Sequence, residues 1–318
     1  MDKRQFWKRK GGTVAGSLAA FLLATAWAWA APAQRGVMAR EAVMYLSPDA
    51  TSQKLGAVPR GREVVILEAS REWVHVFANV DRGKDVTGWI LDKGVVRPQT
   101  PQGDRILFGE AVDSESEALK RRGRRNAAEE AMRLYYRMAE YFPNSPLAGE
   151  ALYRAADIRW QIDSQEVRSR PSSKEPDPRY RPDVDEELMR EVRKRFPNTR
   201  WAQLAEFHLL DNKLCGDWEG RSKCPEKETG VYEKYAAEFP QSPKAPEALY
   251  LAALRQSNLI EIYKTEGNPG KSEAARARGM ALAQQIAARF PESDWASRAI
   301  RLIYMMEQRI PTYGKTEE

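Results

Sequence analysis

Few residues of this 318-residue sequence belong to the types that most often carry out catalysis, since it holds only two histidines and two cysteines. The histidines are His75 and His208, so few imidazole groups are available for acid–base catalysis. Carboxylates are plentiful but form no distinctive spaced pair, and the Gly-x-Ser-x-Gly and His-Glu-x-x-His motifs are absent. We therefore expect no catalytic residue, no metal and no cofactor, and we expect the protein not to be an enzyme.

Cys215 and Cys224 lie nine positions apart and could form a disulfide, a redox-active pair or part of a metal site. A redox pair usually has the spacing Cys-x-x-Cys, and zinc needs four ligands where only His208 lies near. Catalysis by Cys215 and His208 would require a free thiolate. In an oxidising compartment such a pair usually forms a bridge, which would contribute about 2–3 kcal/mol. The disulfide is our prediction, and the alternatives stay open at this point.

A glycine-rich segment imitates a nucleotide-binding loop. Gly267-Asn268-Pro269-Gly270-Lys271-Ser272 follows the apolar run 259–263 and precedes a helical pattern. The first glycine of a phosphate-binding motif would fall at Thr265, however, and the repeat register described below assigns the apolar run to a helix. We predict a turn between paired helices and no nucleotide.

The charge pattern argues against nucleic acid as a partner. Of the net charge of +6, the first 33 residues hold five cations and one carboxylate, so the remainder carries only +2. Beyond that point basic and acidic residues are interleaved, whereas nucleic-acid-binding proteins concentrate lysine and arginine on one face.

Residues 1–33 have the pattern of an export signal. Residues 1–10 are basic, Val14 to Ala31 is apolar, and small residues offer cleavage after Ala30 or Ala33. We predict a signal peptide, a mature chain that begins near Ala31 or Gln34, and a periplasmic location. The alternative is an uncleaved inner-membrane anchor, because about 18 apolar residues is close to the shortest stretch that spans a bilayer.

Residues 36–97 are predicted to form short β-strands that close into a small barrel. Polar and apolar residues alternate, with many β-branched side chains, in Glu63–Leu67, Trp73–Phe77 and Gly88–Ile90. Turn-forming residues separate these segments. Short, closely spaced strands favour a closed barrel, because closure removes the exposed edges.

The same segment resembles the bacterial SH3 (SH3b) domain family. The resemblance rests on Tyr45-Leu46-Ser47-Pro48, Leu55-Gly56, Gly61-Arg62-Glu63-Val64, Trp73-Val74-His75-Val76 and Gly88-Trp89-Ile90. It implies binding of a peptide or of cell-wall peptidoglycan, in a groove lined by Tyr45, Trp73 and Trp89. The alternative is that Trp73 and Trp89 fill the core of the barrel.

A linker, 98–103, precedes a helical region, 104–310, that contains an internal repeat, and a polar tail follows at 311–318. Four Phe-Pro turns recur, at Phe142, Phe196, Phe239 and Phe290. Alanine stands six and nine residues after each phenylalanine, at Ala148, Ala151, Ala202, Ala205, Ala245, Ala248, Ala296 and Ala299. We predict that these alanines are packing points between stacked helices, and that long apolar residues such as Leu152, Leu249 and Ile300 continue their face.

Physical chemistry explains this motif. Proline ends the preceding helix at phenylalanine, and the serine or threonine that follows is suited to cap the next helix. Pro146 and Pro243 would then take the first helical position, where a missing N–H has no cost. Insertions vary the Phe-to-Phe spacing, which is 54, 43 and 51 residues.

The repeats resemble the tetratricopeptide-like repeats of periplasmic proteins, namely the outer-membrane assembly lipoproteins and the Tol–Pal coordinator proteins. The expected fold is therefore multidomain, a small all-β SH3-like barrel followed by an all-α tetratricopeptide-like solenoid. The resemblance implies a periplasmic adaptor that binds a periplasmic or outer-membrane protein, with peptidoglycan as a further ligand. The alternative is a cell-wall recognition subunit that serves a peptidoglycan hydrolase. We also expect the short linker to let the barrel unfold independently.

Overall fold

The computed structural model describes residues 34–80, 83–175, 180–215, 218 and 220–314. The predicted signal peptide, residues 1–33, lies outside the described residues, as does the end of the predicted tail, 315–318. Gln34–Glu318 form one compact unit, in which an antiparallel sheet comes first and a series of helices follows.

The sheet has seven strands in the order β3-β2-β6-β5-β4-β1-β7. Their bounds are β1 (Gln34–Met38), β2 (Ala42–Tyr45), β3 (Lys54–Val58), β4 (Glu63–Ser70), β5 (Trp73–Val80), β6 (Lys84–Leu91) and β7 (Val95–Val96). All neighbouring strands are antiparallel. The sheet curls into a half-barrel with β3 and β7 as its edges, instead of closing as the sequence pattern suggested.

The alternating pattern places one set of side chains inside this curl. In β5, Val74 and Val76 are fully buried, and Met44 and Ile90 join them from β2 and β6. Successive residues of a strand point to opposite faces, so the intervening side chains belong to the outer face of the sheet.

Nine α-helices follow within the described residues. They are α1 (Gly103–Ala118), α2 (Ala127–Tyr141), α3 (Ala148–Ser169), α4 (Glu187–Arg195), α5 (Arg200–His208), α6 (Lys223–Glu238), α7 (Ala245–Thr265), α8 (Pro269–Arg289) and α9 (Asp294–Glu307). Each packs mainly on its neighbours along the chain, as in an array of helix pairs. None of these described helices is both long and apolar enough to cross a membrane.

The four Phe-Pro turns share one backbone conformation. Each phenylalanine ends its helix, with φ between −133° and −123° and ψ between 50° and 62°. A residue that precedes proline is driven out of the helical region by the proline ring, which explains why all four helices end at the same point of the motif. This part of the sequence-based prediction agrees with the structure.

The predicted capping holds at two of the four turns. Thr199 and Ser293 cap α5 and α9, since their hydroxyls accept hydrogen bonds from backbone N–H groups three residues on, both at 3.3 Å. In the turns that contain a second proline, Ser145 and Ser242 instead accept from the N–H two residues on. A tight turn occupies these residues, so α3 and α7 begin after Pro146 and Pro243.

All eight repeat alanines are buried, with exposures between 0 and 7%. Leu152 and Leu249 are buried beside them, but Ile300 is 58% exposed, contrary to expectation. Within the described residues no helix follows α9, so the side chain that a further helix pair would cover faces solvent. The neighbouring Tyr304 is exposed for the same reason.

The alanine packing can be tested at Ala248, which is fully buried in α7. Ala248→Leu inserts three carbon atoms into a filled space, and we expect it to lower the free energy of unfolding by about 1–3 kcal/mol in a urea titration. The control is Ala277→Leu on an exposed position of α8, which should change stability by only about 0.5 kcal/mol. Equal stabilities of the two variants would contradict the predicted helix contact.

The sheet and the helices share one buried cluster. Val37, Ala39 and Val96 of the β-part pack in the same apolar core as Leu107 of α1 and Leu134 of α2. Gly103, the last residue of the predicted linker, is the buried first residue of α1. These contacts contradict the expectation that the linker leaves the β-part uncoupled, and we now expect both parts to unfold together.

Two further local predictions agree with the structure. Cys215 and Cys224 form a disulfide, with their Cα atoms 5.9 Å apart. The glycine-rich segment is a turn between α7 and α8, in which Gly267 has φ of 71° and Asn268 caps α8. The apolar run before it belongs to α7, so no strand leads into the loop.

Candidate binding surface on the outer face of the sheet

The three aromatic residues singled out in the sequence lie on the face of the sheet opposite its core. Trp73 alternates with buried Val74 in β5, and Trp89 alternates with buried Ile90 in β6. Tyr45 follows buried Met44 in β2. The buried cluster inside the curl contains neither tryptophan, but Trp73 is itself buried, so only the partly exposed Trp89 departs from the alternative of a core role.

Strand register brings these side chains together. Tyr45 lies opposite Trp89, and Trp89 lies opposite His75 on the other side. The rings of His75 and Trp89 stack with centroids 4.8 Å apart, and Tyr45 meets Trp73 edge to face at 5.6 Å. Tyr45, Trp73, His75 and Trp89, which we call the aromatic cluster, therefore cross three neighbouring strands.

The members of the cluster differ in exposure. Trp73 is only 8% exposed, so it supports the ring of Tyr45 and offers little surface of its own. Tyr45, His75 and Trp89 are partly exposed. Phe77, on the same face of β5, is 43% exposed and extends the apolar surface.

A cavity of about 530 Å³ adjoins the cluster at Tyr45. Apolar side chains form part of its wall, and charged residues stand around it: Val43, Tyr45, Leu91, Arg40, Glu41, Lys93 and Glu110. Arg40 donates to Glu110 of α1 across 2.9 Å, which ties one wall to the helical part. The cavity can receive an apolar group while its rim offers charges of both signs.

The turn after Tyr45 is held by Asp49. One carboxylate oxygen of Asp49 accepts from the N–H of Thr51 at 2.9 Å, and the other accepts from the Thr51 hydroxyl at 2.7 Å. These two hydrogen bonds stabilise the charged form and lower the pKa of Asp49 below its usual value.

Several residues of this surface were not predicted from the sequence. His75 shares a face with Trp73, and Val43 with Tyr45, because each pair is two positions apart in one strand. The alternation of side chains along a strand could therefore have predicted both His75 and Val43. Arg40 and Glu110 are 70 residues apart, and only the packing of α1 against the sheet brings them together.

The other residues with catalytic potential are engaged elsewhere. The disulfide takes up both cysteines, so neither is a free thiol. Nε2 of His208 lies 3.2 Å from Asp157 and 3.3 Å from the Tyr153 hydroxyl, on the helices and not beside Cys215. Among the described residues, no group of three or more histidine, cysteine, aspartate or glutamate side chains could hold a metal ion.

Comparison with known proteins adds little. No family model matches the chain, and no curated protein matches it. Among solved structures, the chain is similar to one described as "DHF119 filament", with 21% sequence identity over 64% of this chain and 92% of that chain, at a TM-score of 0.22. That degree of similarity carries no argument about fold or function.

Proposed function

We propose that this protein is a non-enzymatic adaptor of the bacterial cell envelope. Its β-part binds a peptide or cell-wall peptidoglycan, and its helical part holds a periplasmic or outer-membrane protein. The observation that carries the proposal is the aromatic cluster, which lies on the outer face of the sheet beside a cavity and has three partly exposed rings.

The chemistry of the surface suits such a ligand. Tryptophan and tyrosine offer large, rigid contact areas at a small cost in conformational entropy, and they stack on flat or ring-shaped groups. Glu41 and Lys93 are exposed at the rim of the cavity and carry opposite charges. A peptide, or the peptide-bearing sugar chain of the cell wall, presents apolar groups and charges of both signs together.

The finer description of the fold belongs to this proposal. We take the half-barrel as an SH3b-like module, on the motifs quoted above, and the helices as tetratricopeptide-like repeats. The common backbone conformation of the four Phe-Pro turns supports the second assignment, as does the burial of the eight alanines. The Cys215–Cys224 disulfide supports an oxidising compartment such as the periplasm.

The proposal is tested by sedimenting the purified chain with insoluble peptidoglycan. The experiment needs the whole chain, because the β-part shares its core with α1 and α2. We expect the wild-type chain to sediment and Trp89→Ala to bind at least about fivefold more weakly, since fivefold corresponds to about 1 kcal/mol and tryptophan is enriched among the residues whose truncation costs that much.

The matched control is Tyr304→Ala, which removes an exposed aromatic ring from α9, far along the chain from the sheet. This variant should sediment as the wild type does. A wild-type chain that stays in the supernatant would contradict cell-wall binding. Equal loss of binding in both variants would contradict the assignment of the binding site to the aromatic cluster.

A further inference from the structure

A second cavity lies between the β3–β4 turn and three helices, α2, α3 and α4. Its volume is about 370 Å³, and Gly61 and Arg62 contribute to it from the turn. Its wall combines basic, acidic and apolar side chains, among them Arg62, Arg133, Met132, Leu188 and Met189. It lies apart from the aromatic cluster, which contributes no residue to it.

Two of the arginines that line this cavity are already paired. Arg137 lies 3.6 Å from Glu63 and also bonds Glu140. Arg159 lies 2.6 Å from Asp163, one helical turn on. Their positive charges are therefore balanced within the protein.

Arg62 and Arg133 are not balanced in this way. Among the described residues, neither guanidinium has a carboxylate within 4.0 Å, and Arg133 donates from Nε only to the backbone oxygen of Arg60, at 3.3 Å. The Nε atom of Arg62 is buried and finds no hydrogen-bond acceptor in the described part of the chain. A buried donor without a partner is costly to the folded state.

The two arginines also act on each other. Burial, and then the nearby charge of Arg62, lower the pKa of Arg133 below its usual value. The carboxylates of Glu130 and Glu129 oppose this shift, so the two arginines give the cavity a preference for an anion that nearby carboxylates moderate.

The rest of the wall restricts the kind of anion. Glu63, Asp185 and Glu187 also line the cavity, and their negative charges disfavour a dianion such as phosphate relative to a single carboxylate. Met132, Leu188 and Met189 offer an apolar surface on which a small aliphatic group can pack.

We propose that this cavity is a binding site for a carboxylate attached to a compact apolar group, with Arg62 and Arg133 holding the carboxylate. A free carboxylic acid of this size and the last residue of a peptide chain present the same chemistry. The site is separate from the surface assigned above to peptide or peptidoglycan, so either can exist without the other.

The test is a titration of the full chain, followed by NMR, with N-acetyl-leucine, its amide, hexanoate and inorganic phosphate. N-acetyl-leucine should bind with a Kd of about 1 mM or lower, as is reasonable for a ligand of few atoms. Its amide should bind at least about tenfold more weakly, because it lacks the charge that the arginines recognise. If hexanoate binds as tightly as N-acetyl-leucine, the natural ligand is a free carboxylic acid. If hexanoate binds more weakly, the natural ligand is the end of a peptide chain. Both results support the site.

Substitutions separate binding from folding. Arg62→Met and Arg133→Met should each weaken the binding of N-acetyl-leucine at least about tenfold. Arg105→Met, on an exposed position of α1, should leave that affinity unchanged. Arg62→Met should keep or raise the melting temperature, because it removes an unsatisfied buried donor. Absence of N-acetyl-leucine binding, equal binding of the amide, tighter binding of phosphate, or wild-type affinity in Arg62→Met would overturn the proposal.

Discussion

Arg255→Met is expected to lower the free energy of unfolding by about 3–5 kcal/mol, the cost of leaving a buried carboxylate without its cation. The carboxylate is that of Glu228 in α6, whose side chain is 2% exposed and lies 2.9 Å from Nε of Arg255 in α7. The measurement is a urea titration followed by circular dichroism.

The surroundings of Glu228 explain why the effect should be large. Its other oxygen accepts hydrogen bonds from the N–H of Cys215 at 2.9 Å and from the Trp218 indole at 3.3 Å. The same carboxylate thus joins the disulfide segment to α7, and Arg255 also stacks against Trp218. Loss of the cation should weaken this junction as a whole.

A double substitution provides the control. Glu228→Gln combined with Arg255→Met removes both charges and keeps a similar volume, so it should be less destabilising than Arg255→Met alone. If Arg255→Met lowers the free energy of unfolding by less than about 1 kcal/mol, the pair behaves as an exposed ion pair, and the claim of a buried junction is contradicted.

Gly61→Ala should lower the free energy of unfolding by about 2–5 kcal/mol, because it disrupts the contact between the sheet and the helices. Gly61 has φ of 70°, a left-handed conformation that other residues adopt with strain. A Cβ atom there would lie 2.7 Å from Cβ of Arg133 and 2.9 Å from the backbone N of Leu134 in α2. Helix backbone cannot yield easily, so the β3–β4 turn would be pushed away.

Gly94→Ala separates the two contributions. Gly94 has φ of 88°, and a Cβ atom there would meet nothing within 4 Å. It should therefore show only the conformational cost, about 1–2 kcal/mol. Thermal unfolding of the wild type should give one transition for both parts, and Gly61→Ala should lower it more than Gly94→Ala does. Equal shifts would contradict the close packing of the turn on α2.

Local patterns in the sequence predicted much of this fold. The Phe-Pro turns and the buried alanines depend on residues that are near one another in the chain, and helix periodicity expresses their contacts directly. The prediction that Ile300 is buried was wrong. Its position in the repeat matches that of Leu152 and Leu249, but its burial depends on a helix pair that does not follow within the described residues.

The site was predictable only in part. Strand alternation set the face of Trp73 and Trp89, but it could not say whether that face lay inside or outside the curl. The cavity beside Tyr45 needs Glu110 of α1, and the cavity at Arg62 needs Arg133 of α2. Packing between the sheet and the helices creates both, and no spacing in the sequence records it.

Hydrogen–deuterium exchange of the full chain, with and without soluble peptidoglycan fragments, tests most directly the claim that the outer face of the sheet is the binding surface. The backbone amides of β2, β5 and β6, which carry the aromatic cluster, should exchange more slowly when the fragments are bound, while those of α9 should not change. Protection confined to the helices at saturating ligand, with none in these three strands, would contradict the account.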